Sequence, residues 1–511
     1  MLFRSLAHML VTDLSNTEIV LGKLAARLVP VFGMVASGLP VLFLGALLGG
    51  IDPRALIAAF LITLAVGLLG CALALAFSVW GSKTHEVLLA TYLLISAWLL
   101  AAPTWDGLAR MGGMGLLAPG APQWLWTANP FWVAFAPYLR PMTSHLTDCL
   151  VFLGAAVLVS ALLLVLSVLC VRSTYVRQMS KLPRGERRLG KWLQRLRSPA
   201  WLPSPSLDGN PVLWREWHRA RPSRWSRVVW LIYGGACAVF SFWAIWVALE
   251  SGRSWGGRDF GIFVNGFQAG VGLLLLSVSA ATSLAEERTR GSLDVVLATP
   301  LSTRAIVWGK WWGAFRTAPK LVVLPALVAL ALAVHSSEAR WLGVPLLVGL
   351  ILAYGAAITS LGLALATWIS RFGRAVAVSV GAYVIVTVGW FFLIVTLSRA
   401  NHFWGPGLAA ASPFWGTIYL TVGVAERGGG GGEWEHFLAW GTFWTVAYAA
   451  VAVALFTATL SSFDRCLGRI PDSPPTLFLR RRPSVEHRYG SVGITRGVNP
   501  GNTQQRKRQR L

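Results

Sequence analysis

The sequence predicts an all-α polytopic membrane protein, with about ten transmembrane helices in two pseudo-repeated bundles. Three observations carry that prediction. Charged residues make up 13% of the 511 positions and hydrophobic ones 55%, with a mean hydropathy of +0.59, whereas charged residues alone are about a quarter of a soluble protein. Several apolar runs reach the roughly 20 residues that carry a helix across about 30 Å of hydrocarbon. The opening segment also recurs later in the chain, the mark of a duplicated unit.

The first element lies within polar residues 1–23. Ser15 and Glu18 have capping-box spacing, so a helix is expected to start near Asn16 and run toward Lys23. Four spans follow at about 26–48, 55–80, 87–102 and 150–171, the third of them short. Between the third and fourth lies a loop with Trp105, Trp124, Trp126 and Trp132. Tryptophan favours the headgroup level, so this loop reads as extracytoplasmic and partly interfacial. Residues 1–171 form the first half.

Residues 172–227 are densely basic and link the two halves. The stretch NPVLWREWHRARPSRW from Asn210 sets Val212, Leu213, Trp214 and Trp217 among cations, the pattern of a helix lying in the interface plane. The second half, 228–462, holds six spans at about 228–249, 260–285, 321–334, 342–369, 375–397 and 437–460. The glycines at 428–432 read as a flexible tether. A Pro- and Arg-rich tail, 463–511, reads as disordered and cytoplasmic.

The formal net charge of +24 follows from topology. Lys23, Lys83, the 172–227 linker, the 286–320 region, Arg371, Arg374 and the tail fall on one side. Arg110, Arg140, Arg253, Arg258 and Arg340 are scattered on the other. That split is the positive-inside pattern, with both termini cytoplasmic. It makes lipid the partner of the surface and leaves nucleic acid without a role. The five cysteines, Cys71, Cys149, Cys170, Cys237 and Cys466, have no metal-ligand spacing.

The repeat aligns residues 5–23 with 292–310 without gaps. Its identities include Ser5/Ser292, Leu6/Leu293, Leu10/Leu297, Thr12/Thr299, Leu14/Leu301, Ser15/Ser302, Ile19/Ile306, Val20/Val307, Gly22/Gly309 and Lys23/Lys310. Two shorter echoes keep the same order. Trp80-Gly-Ser-Lys83 matches Trp368-Ile-Ser-Arg371, and Asn129-Pro-Phe-Trp132 matches Ser412-Pro-Phe-Trp415. The copies are unequal, because an interfacial helix and two spans precede only the second. The first half therefore reads as N-terminally truncated, with loss of its first two spans as the alternative.

The stretch EERTRGSLDVVLATPLSTRAIVWGK, Glu286 to Lys310, resembles the ABC-2-type permease pattern: a Glu-rich helix end, Gly, an apolar stretch, Thr-Pro-Leu-Ser, then Gly-Lys. NPVLWREW is similar to the amphipathic helix that opens a half in that family. The first copy departs from the pattern, with Asp13 in place of Pro300 and no Glu pair. The resemblance implies six spans per half, two halves per transporter, and ATPase subunits, supplied in trans, that dock on the loop between the second and third spans. It also implies an exporter in the cell inner membrane. The coupling residues implied are Glu286, Glu287, Arg288, Gly291, Leu293, Leu297, Thr299, Pro300, Leu301, Ser302, Gly309 and Lys310, with Thr12, Leu14, Ser15, Gly22 and Lys23 as the weaker set. The residues suit the role. Leu293, Val296 and Leu297 make an apolar helical face, Pro300 breaks the helix, and Ser302 can cap the next one.

Chemistry of other kinds is missing from the sequence. No G-x-x-x-x-G-K-[ST] cradle occurs, so ATP and its magnesium belong to a partner chain and no cofactor is expected here. His85-Glu86 is followed by Leu89 where a second zinc ligand would stand. The chain is thus expected to be no enzyme. Candidates for lining a substrate pathway are the polar residues inside spans: Asn265, Gln268, Tyr354 and Thr359. Asn265 and Gln268 sit beside Gly266 and Gly270, and close helix packing is the competing explanation for them. The alternative function is a non-transporting membrane scaffold or signalling subunit built on the same module; the transported substrate is unspecified.

Overall fold

The computed structural model describes residues 14–47, 52–81, 84–110, 120–139, 146–179, 209–219, 224–250, 255–334, 340–390, 393–394, 405–426 and 431–468, all within the compact unit Met1–Gly468. These residues are 92% helical, with no strand among them. In the first half, α1 is Asn16–Leu47, α2 Pro53–Trp80, α3 Thr84–Arg110, α4 Gln123–Thr127, α5 Pro130–Leu139 and α6 Leu146–Met179. In the second, α7 is Pro211–Arg219, α8 Arg224–Glu250, α9 Trp255–Arg290, α10 Ser292–Leu297, α11 Thr303–Phe315 and α12 Ala318–Ala333. The chain then forms α13 (Gly343–Trp368), α14 (Phe372–Val384), a π-turn Ile385–Gly389, α15 (Gly405–Ala409), α16 (Pro413–Ala425) and α17 (Gly431–Leu467).

Nine described helices are long and apolar enough to cross a membrane, and Glu86–Ala102 within α3 is a shorter apolar stretch. Together they occupy the places of all ten expected spans, and the chain is a multi-pass membrane protein. Several boundaries differ from the sequence reading. The capped helix at Asn16 does not stop at Lys23 but runs unbroken through Pro30 and Pro40 to Leu47. Proline is tolerated there because neighbouring helices and local adjustment re-satisfy the freed backbone groups. The short span expected at 321–334 follows α11 after only the turn at Arg316 and Thr317. The last helix reaches Leu467, where Gly468 at φ 70° ends it, so 463–467 belong to the bundle rather than to the tail. Gly431 and Gly432 open α17 instead of serving as tether; residues 428–430 lie outside the described set.

The segment before α17 is no surface loop. α15 and α16 form a short helical hairpin, and α16 packs against α9, α12, α13 and α17. Apolar surroundings cannot hydrate the carbonyls at its bend. Side chains satisfy them instead. Trp415 Nε1 donates to Pro406 O (3.2 Å), Trp444 Nε1 to Gly407 O (2.9 Å) and Trp390 Nε1 to Leu408 O (3.0 Å). Tyr354 Oη donates to Ala410 O (2.7 Å) and Tyr448 Oη to Ala411 O (2.6 Å).

The repeat is legible in three dimensions. Trp80 ends α2 and Trp368 ends α13, each helix closed by a 2.9 Å backbone bond from the next residue. Asn129 starts α5 and Ser412 starts α16, each with proline at the first helical position. Both starters reach back to the preceding long helix: Asn129 Nδ2 donates to Leu99 O at 2.9 Å, and Ser412 Oγ to Thr387 O at 2.6 Å.

α9 and α13 are the buried centre of the second half. They meet through small residues. A Cβ on Gly362 would lie 2.8 Å from Ala281 N and 2.9 Å from Ala280 Cβ of α9, and on α13's other contact one on Gly355 would lie 2.8 Å from Ala318 Cβ of α12. The halves join where α3 packs on α8 and α9, with Leu89 in the same cluster as Val229 and Leu273. Gly362→Leu should therefore separate α9 from α13 and lower the detergent-solubilised melting temperature by several degrees. Gly154→Leu, on an exposed face of α6 with no neighbouring atom of the described residues within 4 Å, should leave it unchanged.

Candidate functional site

The stretch from Glu286 to Lys310 folds as helix end, turn, short helix, break and helix. Gly291 adopts φ 72°, a left-handed conformation that costs glycine no Cβ clash, and so ends α9 and turns the chain into α10. Thr299 and Pro300 stand in the break that follows. Thr299 Oγ1 donates back to Val296 O at 2.5 Å. Ser302 then caps α11, its Oγ accepting from Ala305 N at 3.3 Å.

α10 stands on one face and presents the other. Leu293, 1% exposed, and Val296 pack beneath it with Leu284, Ala285, Ile306, Val307, Leu363 and Phe463. Leu297 and Leu301 are half-buried against the same cluster. Asp294, Val295 (70% exposed), Ala298 and Pro300 face outward. Leu293 is thus foundation rather than outer surface. A six-residue helix gave the sequence too little length to fix which apolar residue points which way.

Behind α10, polar bonds tie five helices together. Lys310, 2% exposed, is paired with Glu216 of α7 and, at 2.7 Å, with Glu287 at the end of α9. Arg215 lies 3.5 Å from Glu287 and completes a group of two cations and two carboxylates. Arg288 donates to Thr367 O near the end of α13 at 3.1 Å, and Thr303 Oγ1 donates to Asp464 of α17 at 2.6 Å. Glu286 is half-buried beside them. α7 itself is capped by Asn210, whose Oδ1 accepts from Val212 N and Leu213 N (3.0 and 3.1 Å) while Nδ2 donates to Ala305 O (2.9 Å). α7 lies across α11 at two glycines. A Cβ on Gly309 would sit 2.9 Å from Leu213 N, and one on Gly313 would sit 3.0 Å from Glu216 Cβ.

Gly309 and Lys310 are consequently buried and form the internal brace of the site. Glu216 and Asp464 were not picked out from the sequence. The signal for Glu216 was its standing as the single acid among the cations of 209–227. Asp464 gave none.

In the first copy, Thr12 lies outside the described residues. Ser15 repeats the part of Ser302: its Oγ accepts from Glu18 N at 3.3 Å, while Ser15 N donates to Glu18 Oε2 at 2.8 Å. Leu14 and Gly22 are exposed, and Lys23 is half-buried. The four pathway candidates all bond within the helix packing, while Asn265 Oδ1 and Gln268 Oε1 are buried without a hydrogen-bond partner. Asn265 Nδ2 donates to Pro325 O (3.2 Å) and Thr421 Oγ1 (3.3 Å), and Gln268 Nε2 to Ser241 Oγ (2.5 Å). Tyr354 holds the bend before α16, and Thr359 bonds back to Gly355 O at 2.7 Å. Gly266 and Gly270 make the room that Phe414 and Ile418 of α16 fill. No group of three or more metal-ligating side chains occurs among the described residues.

Removing one partner from a buried ion pair strands the other charge, at a cost of about 3–5 kcal/mol. Lys310→Met should therefore destabilise the fold strongly in a thermal unfolding assay. The triple variant Lys310→Met, Glu216→Gln, Glu287→Gln should recover much of the loss, because no buried carboxylate is then left uncompensated.

No curated protein matches the chain. Residues 267–466 match the family model described as ABC-2 family transporter protein. The match takes in α9 from Phe267 onward, the α10 unit and the later helices up to residue 466 in α17, while α1 to α8 lie outside it. The chain is a multi-pass membrane protein that carries an ABC-2-type permease domain in its second half, and transport is its class of function.

Proposed function

We propose that this chain is the membrane subunit of an ATP-driven exporter in the cell inner membrane, with both termini cytoplasmic and with ATPase subunits that are separate chains. The observation that carries the reading is the α10 unit: an outward face of Asp294, Val295, Ala298 and Pro300 on a buried footing joined to α9, α11, α13 and α17. The ATPase holds ATP and magnesium, and its closure presses on this face. Because Leu293 and Val296 lock α10 to its neighbours, the displacement passes to the inner ends of several spans at once. A close-packed footing of this kind transmits strain rather than absorbing it. The two halves then rock about a pathway between them. ATP drives this equilibrium only through contacts that differ between the two states. The 5–23 segment is a second, weaker contact for the ATPase.

Val295→Asp tests the assignment, since it alters the outward face and leaves the footing intact. The protein reconstituted with its ATPase should stimulate ATP hydrolysis, and Val295→Asp should reduce that stimulation at least tenfold at unchanged melting temperature. Unaltered stimulation by Val295→Asp would remove α10 as the contact. Wild-type protein that binds an ATPase without any transport or stimulation would favour the scaffold reading.

A further inference from the structure

One side-chain stripe runs across the joint between α11 and α12. Trp308, Trp312, Arg316, Lys320, Val323 and Leu327 recur every three or four residues, the spacing that keeps side chains on one helical face. The backbone carries that register through the turn: Arg316 N donates to Trp312 O at 3.0 Å, and Lys320 N to Thr317 O at 3.2 Å. The stripe is open at both ends. Val323 (55% exposed) and Leu327 (46%) lie on the span α12 and face acyl chains. Trp308 (44% exposed) lies toward the α10 unit and meets Trp312 edge-on at 5.9 Å, an aromatic shelf of the kind that sits at headgroup level. Between these ends stand two cations. The Arg316 guanidinium lies over the Trp217 ring of α7, 5.7 Å from its centroid. The acid that acts on Arg316 is Glu216, whose carboxylate is already bonded to Lys310. Exposed Lys320 meets Arg316 as a like charge one turn away. The adjoining group of Lys310, Arg215, Glu216 and Glu287 balances itself, and no described carboxylate pairs with Arg316 or Lys320.

We propose that Arg316 and Lys320 bind the phosphate of an anionic phospholipid in the leaflet on the α10 side, with its acyl chains along Val323 and Leu327. A guanidinium matches two phosphate oxygens at once, and an ammonium one turn away takes another as a point charge. Trp217 holds the plane of the guanidinium. An anion between the two cations also removes their mutual repulsion. The apolar track favours a lipid over a free phosphate, because it begins one turn beyond Lys320 on the same face and gives a free ion nothing to touch. The surplus of positive charge favours an anionic headgroup over a zwitterionic one, since no unengaged acid is present to receive a choline. The 180–208 segment of this chain is dominated by cations that Arg316 and Lys320 repel.

The test is native mass spectrometry of the full-length protein, delipidated in detergent and then given phosphatidylglycerol and phosphatidylcholine with the same acyl chains. The most tightly held lipid should be phosphatidylglycerol, favoured about tenfold. Arg316→Gln combined with Lys320→Gln should bring the two lipids level. Arg371→Gln combined with Arg374→Gln, which removes two exposed cations at the start of α14, should leave the preference unchanged. Lys320→Gln alone, at an exposed position, should weaken it severalfold, and it keeps the test valid where the double variant does not fold. A photoreactive residue in place of Val323 should label lipid. Equal retention of both lipids by the wild type, or equal loss in both double variants, would overturn the proposal, because attraction to any basic surface would then suffice. So would displacement of phosphatidylglycerol by inorganic phosphate at equal concentration, the mark of a free-anion site. Labelling from position 323 confined to residues 180–208 would put this chain's own segment in the lipid's place, and the proposal would fail.

Discussion

The fold of the second half depends on one buried cation. Lys310 is buried on α11, and its charge is tolerable only with Glu216 and Glu287 beside it. Those carboxylates arrive from α7 and α9, so a single ammonium fixes three elements in one arrangement. The close approach at Gly309 and Gly313, and the bond from Asn210 to Ala305 O, follow from that placement. The brace in turn holds α11 at the angle on which α10 and its break can stand.

Elsewhere the organising constraint is the solvent. Lipid offers helices no hydrophobic drive to associate, so contacts rest on small residues and on hydrogen bonds. Gly355 and Gly362 let α13 meet α12 and α9, and Gly266 and Gly270 admit the side chains of α16. The helical hairpin of α15 and α16 is possible because indoles and phenols supply donors to its exposed carbonyls. Trp and Tyr suit this work because each pairs a large apolar body with one donor.

The two halves show how one local sequence serves two environments. Ser15 and Ser302 cap their helices at the same 3.3 Å, and Ile19 and Ile306 are buried alike. The difference lies one turn further along, where Lys310 is enclosed by carboxylates and Lys23 is not. Both lysines belong to the same motif, so the distinction is made entirely by what packs against it.

Local signals determined much of this protein from sequence. Hydropathy placed all ten apolar helices, and the Ser15–Glu18 box, the Ser302 cap and the break at Pro300 follow from bonds within four residues. The Gly266–Gly270 pair also foretold close packing, although not its partner. Tertiary structure decided the rest. Glu216 and Lys310 are 94 residues apart, and no local pattern announces a pair at that distance. The burial of Leu293 and the exposure of Val295 depend on which neighbours surround a six-residue helix. Residues 405–425 fall between two expected spans and are assigned no element from sequence, because short apolar segments can lie in an interface or within a core. Only the helices around α16 make it core, by removing its backbone from water and returning donors to it.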